Sequence, residues 1–200
     1  MRHQRSQADR LMKLARTRDL IRPRDLKKRK IARAYLSRLE RSGKLTRVAR
    51  GVYRHPDAAV TEHHSLVQVA SRSKSAVVCL LSALVFHRLG TQNPFDVWIA
   101  LPKGARTPAL EVRTRIVRLS PATYSLGIER HRMEGVEVQV YSIAKTIVDC
   151  FRFRNRLGLD VPIEALKGAL REKRTTVAEI RRYAKPARMT RLMQPYLEAL

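Results

Sequence analysis

The sequence has few acidic residues for its length. Its 200 residues include 17 Asp and Glu against 42 Lys and Arg, which gives a formal net charge of +25 at pH 7. An imbalance of this size favours a polyanionic partner, with nucleic acid ahead of a membrane surface. It also argues against an enzyme that acts on cationic substrates, because the field of the protein would repel them.

Long apolar runs and cysteines are scarce as well. The longest apolar stretch, residues 76–86, is shorter than the roughly 18–20 residues that cross a bilayer. The first nine residues lack the apolar segment of a secretory signal. Both cysteines, Cys79 and Cys150, have apolar neighbours, which is typical of reduced, buried thiols. From these absences we expect a soluble cytoplasmic protein that binds no membrane.

The basic residues are concentrated at the front of the chain. Residues 1–60 hold 19 basic and 5 acidic residues, so they carry more than half of the net charge. Arginines outnumber lysines by 31 to 11, and a guanidinium group is the better donor to phosphates and guanine edges. This clustering predicts a nucleic-acid-binding domain in the first third of the chain.

Turn and cap residues predict how this first part folds. Residues 6–16 carry apolar residues at helical spacing, and Pro23 suits the first turn of a second, short helix. A third helix is expected to end at Gly43, because glycine favours the left-handed conformation that closes helices. The order is typical of a winged helix-turn-helix domain, which we assign to residues 1–57. The predicted elements are helices 6–16, 23–28 and 29–42 and strands 44–48 and 51–54.

A cationic face on the third predicted helix indicates how this domain would bind DNA. At about 100° per residue, Ile31, Tyr35 and Leu39 share an apolar arc that packs inward. The opposite arc carries long cations and small residues that could reach base edges and phosphates in a major groove, while arginines of the wing contact flanking phosphates. The alternative is an ordinary solvated basic face. The predicted DNA-binding residues are Lys28, Arg29, Lys30, Arg33, Ser37, Arg38, Arg41, Arg47, Arg50 and Arg54.

Residues 60–200 are predicted to form a second domain. Thr176 and Glu179 have the spacing of a helix capping box, and alternating valines indicate a strand at 135–141. The expected fold class is α+β: an N-terminal winged helix-turn-helix domain followed by a mixed α/β C-terminal domain with a small sheet packed by helices. The predicted elements are helices 61–70 and 75–89, strands 95–101, 115–119, 127–133 and 135–141, and helices 142–154, 162–173, 175–184 and 186–200.

Catalytic and metal-binding interpretations find little support in the sequence. The two histidines within residues 62–64 are adjacent on a predicted helix, so they point about 100° apart and lack the i,i+4 spacing of paired ligands. Asp96, Glu137 and Lys145 could form a nuclease site, but the Glu-x-Lys order of restriction-type nucleases is missing. No glycine-rich phosphate loop occurs. We therefore predict no enzyme, no metal and no cofactor, and a nuclease directed to DNA by the basic domain is the weakest alternative.

Four segments carry motifs of one known family. They are AYLSRLERSGKLTRVARGVY at residues 34–53, SALVFHRLG at 82–90, FDVWIALP at 95–102 and YSIAKTIVDCF at 141–151. Together they resemble the AbiEi-type antitoxins, the transcription-regulating partners in type IV toxin–antitoxin (abortive infection) systems. Lys145 stands where arginine is usual in the last motif. The resemblance implies negative autoregulation of an operon and neutralisation of a nucleotidyltransferase-like toxin encoded beside it.

These expectations define two partners. A monomeric winged helix reads a short site, so we expect repeated half-sites in double-stranded DNA at the promoter of the protein's own operon. Nucleotidyltransferase folds hold carboxylates around catalytic metals, so basic residues of the second domain are the candidates for toxin contact. The alternative is a winged-helix regulator whose second domain senses a ligand or dimerises. The predicted toxin-binding residues are Arg152, Arg154, Arg156, Arg171, Lys173, Arg174, Arg181 and Arg182.

Overall fold

The chain divides into two compact units. The structure, a computed structural model, describes residues 6–17, 21–56 and 62–199. The first unit comprises Met1–Arg72 together with Arg132–Glu137, and the second comprises Ser73–His131 and Val138–Leu200. The sequence predicts a boundary at residues 57–60, which lie outside the described residues. Every helix in the described part of the chain is too short or too polar to cross a bilayer.

Three helices, a two-stranded hairpin and a further helix follow one another in the first unit. The described elements are α1 (Gln7–Thr17), α2 (Pro23–Lys27), α3 (Ala34–Arg41), β1 (Thr46–Ala49), β2 (Val52–Arg54) and α4 (His64–Arg72). The strands β1 and β2 are antiparallel, and their register shifts between Arg47 and Ala49. Three helices followed by a hairpin are the element order of a winged helix, as the sequence predicts.

An apolar core holds the three helices and the hairpin together. The spacing of Leu11, Leu14 and Ala15 places one stripe of α1 against this core, and α1 contacts α3. Burial of this stripe and of the apolar side of α3 fixes which side of α3 faces solvent. The buried members of the core are Leu11, Leu14, Ala15, Ile21, Leu26, Ile31, Leu36, Leu39, Leu45 and Tyr53.

Ile21 adds a third extended segment to the hairpin. Its N–H group donates to the Tyr53 carbonyl at 2.7 Å, and the Tyr53 N–H group donates to the Ile21 carbonyl at 2.9 Å. The chain between α1 and α2 therefore pairs with β2, so the wing is tied by backbone hydrogen bonds to the entrance of α2. The sequence does not predict this pairing, because a single residue carries no periodic pattern.

The third helix begins later than the sequence predicts. It starts at Ala34, whereas a helix from residue 29 was expected. Lys30 has a φ angle of 51°, and the N–H groups of Lys30 and Ile31 donate back to carbonyls of α2 at 3.3 and 3.2 Å. These two bonds form a Schellman motif, which terminates a helix and usually has glycine at the left-handed position. The end of α3 is as predicted, with Gly43 at a φ angle of 69°.

Helices pack against a five-stranded sheet, which belongs to the second unit except for residues 132–137. Its strands are β3 (Val77–Val78), β4 (Val97–Pro102), β5 (Thr114–Leu119), β6 (Ile128–Met133) and β7 (Val136–Tyr141), in the order β5-β4-β3-β7-β6. The central strand β3 is antiparallel to β4 and parallel to β7, and β4 is parallel to β5. The helices are α5 (Leu80–Phe86), α6 (Pro121–Tyr124), α7 (Ile143–Arg152), α8 (Arg154–Leu157), α9 (Asp160–Arg171), α10 (Val177–Ala187) and α11 (Thr190–Glu198).

The helix α7 is the centre of this unit. It is buried from Ala144 to Phe151, and it contacts α5, α9 and α10. Ser142 caps α7 by accepting the Lys145 N–H bond, and Thr176 caps α10 by accepting the Glu179 N–H bond at 3.1 Å. The mixed α/β architecture of the prediction is confirmed.

The largest differences from the sequence prediction in the second unit are at β3 and at Pro186. The strand β3 lies within residues 75–89, which were expected to be one helix, because a run that is apolar on all sides has no period to distinguish a buried strand from a buried helix. Pro186 was expected to begin the last helix, but it lies in the last turn of α10. A proline near a helix end disrupts few backbone hydrogen bonds, so α10 tolerates it there.

Candidate nucleic-acid interface

The exposed side of α3 is basic. Its buried side carries Leu36 and Leu39, which belong to the core of the first unit. Arginine side chains on the exposed side alternate with small residues, which would let the helix approach the floor of a groove. The exposed residues, called the recognition face below, are Arg33, which precedes α3, and Ala34, Ser37, Arg38 and Arg41 of α3.

The turn between α2 and α3 adds cations that do not lie on α3 itself. Two contacts from α1 hold this turn in place. The Gln7 Oε1 atom accepts the Ala32 N–H bond at 3.0 Å, and Arg10 Nη2 donates to the Arg29 carbonyl at 2.6 Å. The position of the turn is therefore set by α1 as well as by the core. The predicted DNA-binding residues that lie in this turn are Lys28, Arg29 and Lys30, and all three are exposed.

Two cations of the wing are exposed and a third is half-buried. Arg47 on β1 and Arg50 in the turn are exposed. The turn is tight, because Gly51 has a φ angle of 72°. Arg54 is half-buried, and its Nε and Nη1 atoms are buried without a hydrogen-bond partner in the part of the chain that the structure describes. Arg47 and Arg50 are thus better placed than Arg54 to contact a phosphate.

Nearly all charged residues in these elements are positive. From Lys27 to Arg54 the chain has eleven Lys and Arg and one acidic residue, Glu40. Such a surface attracts a phosphate backbone and releases its counterions, while exposed guanidinium groups can form paired hydrogen bonds with base edges. The arrangement can bind DNA without any metal or cofactor.

The predicted toxin-binding residues fall into two groups, of which the first lies around Phe153. The guanidinium carbons of Arg152 and Arg156 each lie 5.8 Å from the centre of the Phe153 ring. Arg154 is half-buried and donates from Nη1 to the Phe151 carbonyl at 3.2 Å. These contacts hold the three arginines against the end of α7 and against α8, and Arg156 is the most exposed of them.

The second group lies at the end of α9 and on α10. Arg171 and Arg174 lie 3.9 and 3.7 Å from Glu172, at distances of weak surface ion pairs. Arg181 and Arg182 are exposed on α10, as is Lys185 one turn later. Lys185 is not among the predicted toxin-binding residues, although its spacing from Arg181 is the i,i+4 spacing of one helix face. The exposed cations Arg181, Arg182 and Lys185 are called the α10 basic face below.

The residues weighed for a nuclease site have other partners. Lys145 and Asp149 are each 1% exposed, and the Lys145 Nζ atom is bound to Asp149 Oδ2 one turn along α7. Asp96 lies 2.9 Å from Arg115 Nε and 3.3 Å from Arg113 Nε. Burial raises the pKa of the Asp149 carboxyl group, and the Lys145 ammonium group partly offsets this effect. A buried, paired lysine cannot reach a phosphate.

The histidines also have protein partners. His64 Nδ1 lies 2.8 Å from Glu134 Oε2, and its Nε2 atom lies 3.2 Å from the Gln68 side-chain nitrogen. His87, at the end of α5, donates from Nε2 to the Tyr141 carbonyl at 2.7 Å. Burial lowers the pKa of His87, which favours its neutral form. Among the described residues no group of three His, Cys, Asp or Glu is arranged to hold a metal ion.

Residues 9–56 match the model of a protein family described as "transcriptional regulator, AbiEi antitoxin". The resemblance to AbiEi antitoxins is confirmed. The match covers α1 from its third residue, α2, α3 and the hairpin, so the basic surface described above lies within the AbiEi-like segment.

One solved structure is similar to the chain over most of its length. The crystal structure of the RV2827C protein from Mycobacterium tuberculosis superposes with a TM-score of 0.61 and 16% sequence identity. The similarity covers 90% of this chain and 71% of the other, so the two share a fold over most of this chain. A search of curated proteins found no match.

Proposed function

We propose that the protein is an autorepressor and antitoxin. Its first unit would bind repeated half-sites in the promoter of its own operon, and its second unit would neutralise a nucleotidyltransferase-like toxin encoded beside it. The family match of residues 9–56 supports regulation of transcription by an AbiEi-like segment. The proposal assigns no catalytic step to the chain.

The recognition face is the observation that carries the DNA-binding half of this proposal. Three of its five residues are exposed arginines. The other two have small side chains, so the backbone between the arginines could come close to a groove floor. The neighbouring turn and wing add exposed cations without an adjoining acidic cluster, since Glu40 is the one acid between Lys27 and Arg54. In this arrangement α3 would read base edges in the major groove, and the turn and wing would contact phosphates.

Binding of the promoter fragment by a double alanine variant tests this assignment. Arg33→Ala/Arg41→Ala should weaken binding of the specific site at least tenfold, because each base contact contributes about 1–3 kcal/mol. Lys103→Ala/Arg106→Ala is a matched control: it removes the same charge from an exposed loop of the second unit. The affinity would be measured by fluorescence anisotropy at several salt concentrations, alongside a scrambled fragment of equal length.

Two results would contradict the DNA-binding assignment. One is an unchanged affinity of the recognition-face variant for the promoter. The other is an equal loss in the control variant, which would mean that the total charge and not the surface of α3 determines binding. A footprint should also show two half-sites about one helical turn apart, and a single short protected site would exclude binding of two copies.

The toxin-binding half of the proposal rests on charge. Nucleotidyltransferase active sites hold carboxylates around metal ions, and the α10 basic face offers exposed cations that could cover such a cleft. Arg171, Lys173 and Arg174 lie just before α10 in the chain and add three more cations to this segment. Exposure favours this second group over Arg152 and Arg154, which are half-buried.

Co-expression with the toxin separates the two activities within the full chain. Arg181→Ala/Arg182→Ala should lose growth rescue while it still binds the promoter. Arg33→Ala/Arg41→Ala should show the opposite pattern. Point variants are preferable to truncation, because Glu134 lies far along the chain yet contacts His64 of α4. If the recognition-face variant lost rescue and the α10 variant kept it, the proposed division of labour would be wrong.

A further inference from the structure

The segment that joins α2 to α3 consists mostly of strong helix formers, yet the chain turns there. From Leu26 to Leu36 it has no glycine, proline, asparagine, aspartate or serine, so helix propensity favours one continuous helix. The structure instead separates the two helices by a turn in which Lys30 has a φ angle of 51°. Contacts from outside the segment therefore stabilise the turn, and burial of Ile31 in the core is one of them.

Two side chains of α1 bind backbone groups that a continuous helix would pair internally. In such a helix the Ala32 N–H group would donate to the carbonyl group four residues earlier, and the Arg29 carbonyl would accept from the N–H group four residues later. Here Gln7 Oε1 accepts the Ala32 N–H bond at 3.0 Å, and Arg10 Nη2 donates to the Arg29 carbonyl at 2.6 Å. The two side chains thus replace helical partners that the turn gives up.

The first turn of α1, which carries Gln7, is itself fixed. Ser6 and Asp9 form a reciprocal capping box. The Ser6 N–H group donates to Asp9 Oδ2 at 3.2 Å, and the Asp9 N–H group donates to Ser6 Oγ at 3.1 Å. Further along the helix, Leu11 and Leu14 are buried in the core of the first unit. Gln7 therefore joins the turn to an element whose own position is determined by capping and by burial.

We propose that Gln7, supported by Arg10, is a positioning residue of the DNA interface that sets the orientation of α3 relative to α2. This inference rests on the proposed binding of promoter DNA by α3. Contacts with base edges require the helix to lie within about 0.5 Å of its productive position. Attraction between cations and phosphates acts over a longer range and carries no sequence information. Loss of the Gln7 bond should therefore lower the preference for the promoter more than it lowers the affinity for DNA in general.

The variant Gln7→Met tests this inference without a change in charge. Methionine has a similar length and lacks the acceptor, so the Ala32 amide hydrogen should exchange with solvent about tenfold faster than in the wild type, as measured by NMR. Gln7→Glu keeps an acceptor oxygen and should preserve the slow exchange. Gln194→Met makes the same replacement at an exposed position of α11 and is the matched control, which should leave Ala32 exchange unchanged.

DNA binding by the same full-length variants is measured by fluorescence anisotropy with the promoter fragment and a scrambled fragment of equal length. Gln7→Met should bind the promoter about tenfold more weakly, the loss expected for one base contact. Its affinity for the scrambled fragment should change by less than about twofold, and its salt slope should equal that of the wild type, because all cations remain. Gln194→Met should bind both fragments as the wild type does.

Four results would overturn the inference. Wild-type exchange of Ala32 in Gln7→Met would show that the bond does not hold the turn. An equal loss of affinity for both fragments would indicate a destabilised first unit and not a displaced α3. An unchanged promoter preference of Gln7→Met would refute the positioning role while the proposed function stands. A wild type that bound both fragments equally would refute the proposed promoter recognition, and this inference with it.

Discussion

The buried pair of Lys145 and Asp149 makes a quantitative prediction about stability. Both side chains are 1% exposed, and Asp149 Oδ1 has no hydrogen-bond partner in the described part of the chain. Lys145→Met keeps most of the aliphatic volume of lysine and removes its ammonium group, and with it the charge and the hydrogen bond to Asp149 Oδ2. The Asp149 carboxyl group then remains in the core of the second unit without its cation, a change that costs about 3–5 kcal/mol in buried pairs.

Proton uptake limits this cost and makes it depend on pH. Protonation of an unpaired carboxyl group costs about 1.36 kcal/mol for each unit between the solution pH and its pKa in the unfolded chain. With the ordinary value of 3.8, the limit is about 4 kcal/mol at pH 7 and about 1.6 kcal/mol at pH 5.

The sign of the pH effect follows from the direction of the pKa shift. Burial raises the pKa of Asp149 in the folded wild type, and loss of the Lys145 ammonium group raises it further. The folded variant therefore binds a proton that the unfolded chain has released, so its stability falls as the pH rises above the unfolded value. Destabilisation of Lys145→Met relative to wild type should be largest at neutral pH and should shrink toward pH 5.

Urea denaturation of the full-length chain at pH 5, 6 and 7 measures this dependence. The double variant Lys145→Met/Asp149→Leu is the matched control, because it removes both charges and should recover most of the loss at pH 7. Equal destabilisation of the single variant at all three pH values would show that the carboxyl group is not its source. A double variant as unstable as the single one would refute the reasoning in the same way.

Three further substitutions test backbone and charge assignments. Lys30→Gly should be about 1 kcal/mol more stable to urea than Lys30→Ala, because glycine adopts the left-handed conformation without strain. Gly127→Ala should lower the free energy of unfolding by about 2–4 kcal/mol in thermal unfolding, since its Cβ atom would lie 2.8 Å from that of Lys145. Gly104→Ala is the control: the space around it is open, so its free energy of unfolding should fall by only about 1 kcal/mol. Arg50→Ala should weaken promoter and scrambled DNA similarly and reduce the salt slope of binding by about 1.

Element order and the part of the core formed by α1 and α3 could be predicted from the sequence. The apolar stripe of α1, Pro23 at the start of α2 and Gly43 after α3 are local signals, and each acts where it stands in the chain. The exposure of Arg33, Ser37 and Arg41 followed from the same helical period. Predictions of this kind succeed because one face of a helix must be buried, so the opposite face is known as well.

Other features depend on residues far apart in the chain. The pairing of Ile21 with Tyr53 requires the wing to fold back, and no pattern within either segment encodes it. The strand β3 consists of Val77 and Val78, and it is a strand only because β4 and β7 lie on either side. The exposure of Phe95 could not be predicted from the sequence either, because an aromatic residue at the start of a predicted strand is more often buried.

Cations take a structural role in this chain that composition alone does not reveal. The left-handed position of a Schellman motif usually belongs to glycine, and glycine is scarce here, with 8 in 200 residues. At the ends of α2, α5, α9 and α10 this position is held by Lys30, Arg88, Lys173 and Arg188, each with the hydrogen-bond pair of the motif. A positive charge there also interacts favourably with the C-terminal end of the helix dipole, which offsets part of the backbone strain. Lys30 and Lys173, both predicted from charge to contact a partner, therefore have a reason to be basic that requires no partner. Assignment of their binding role needs variants that change the charge and the backbone preference separately.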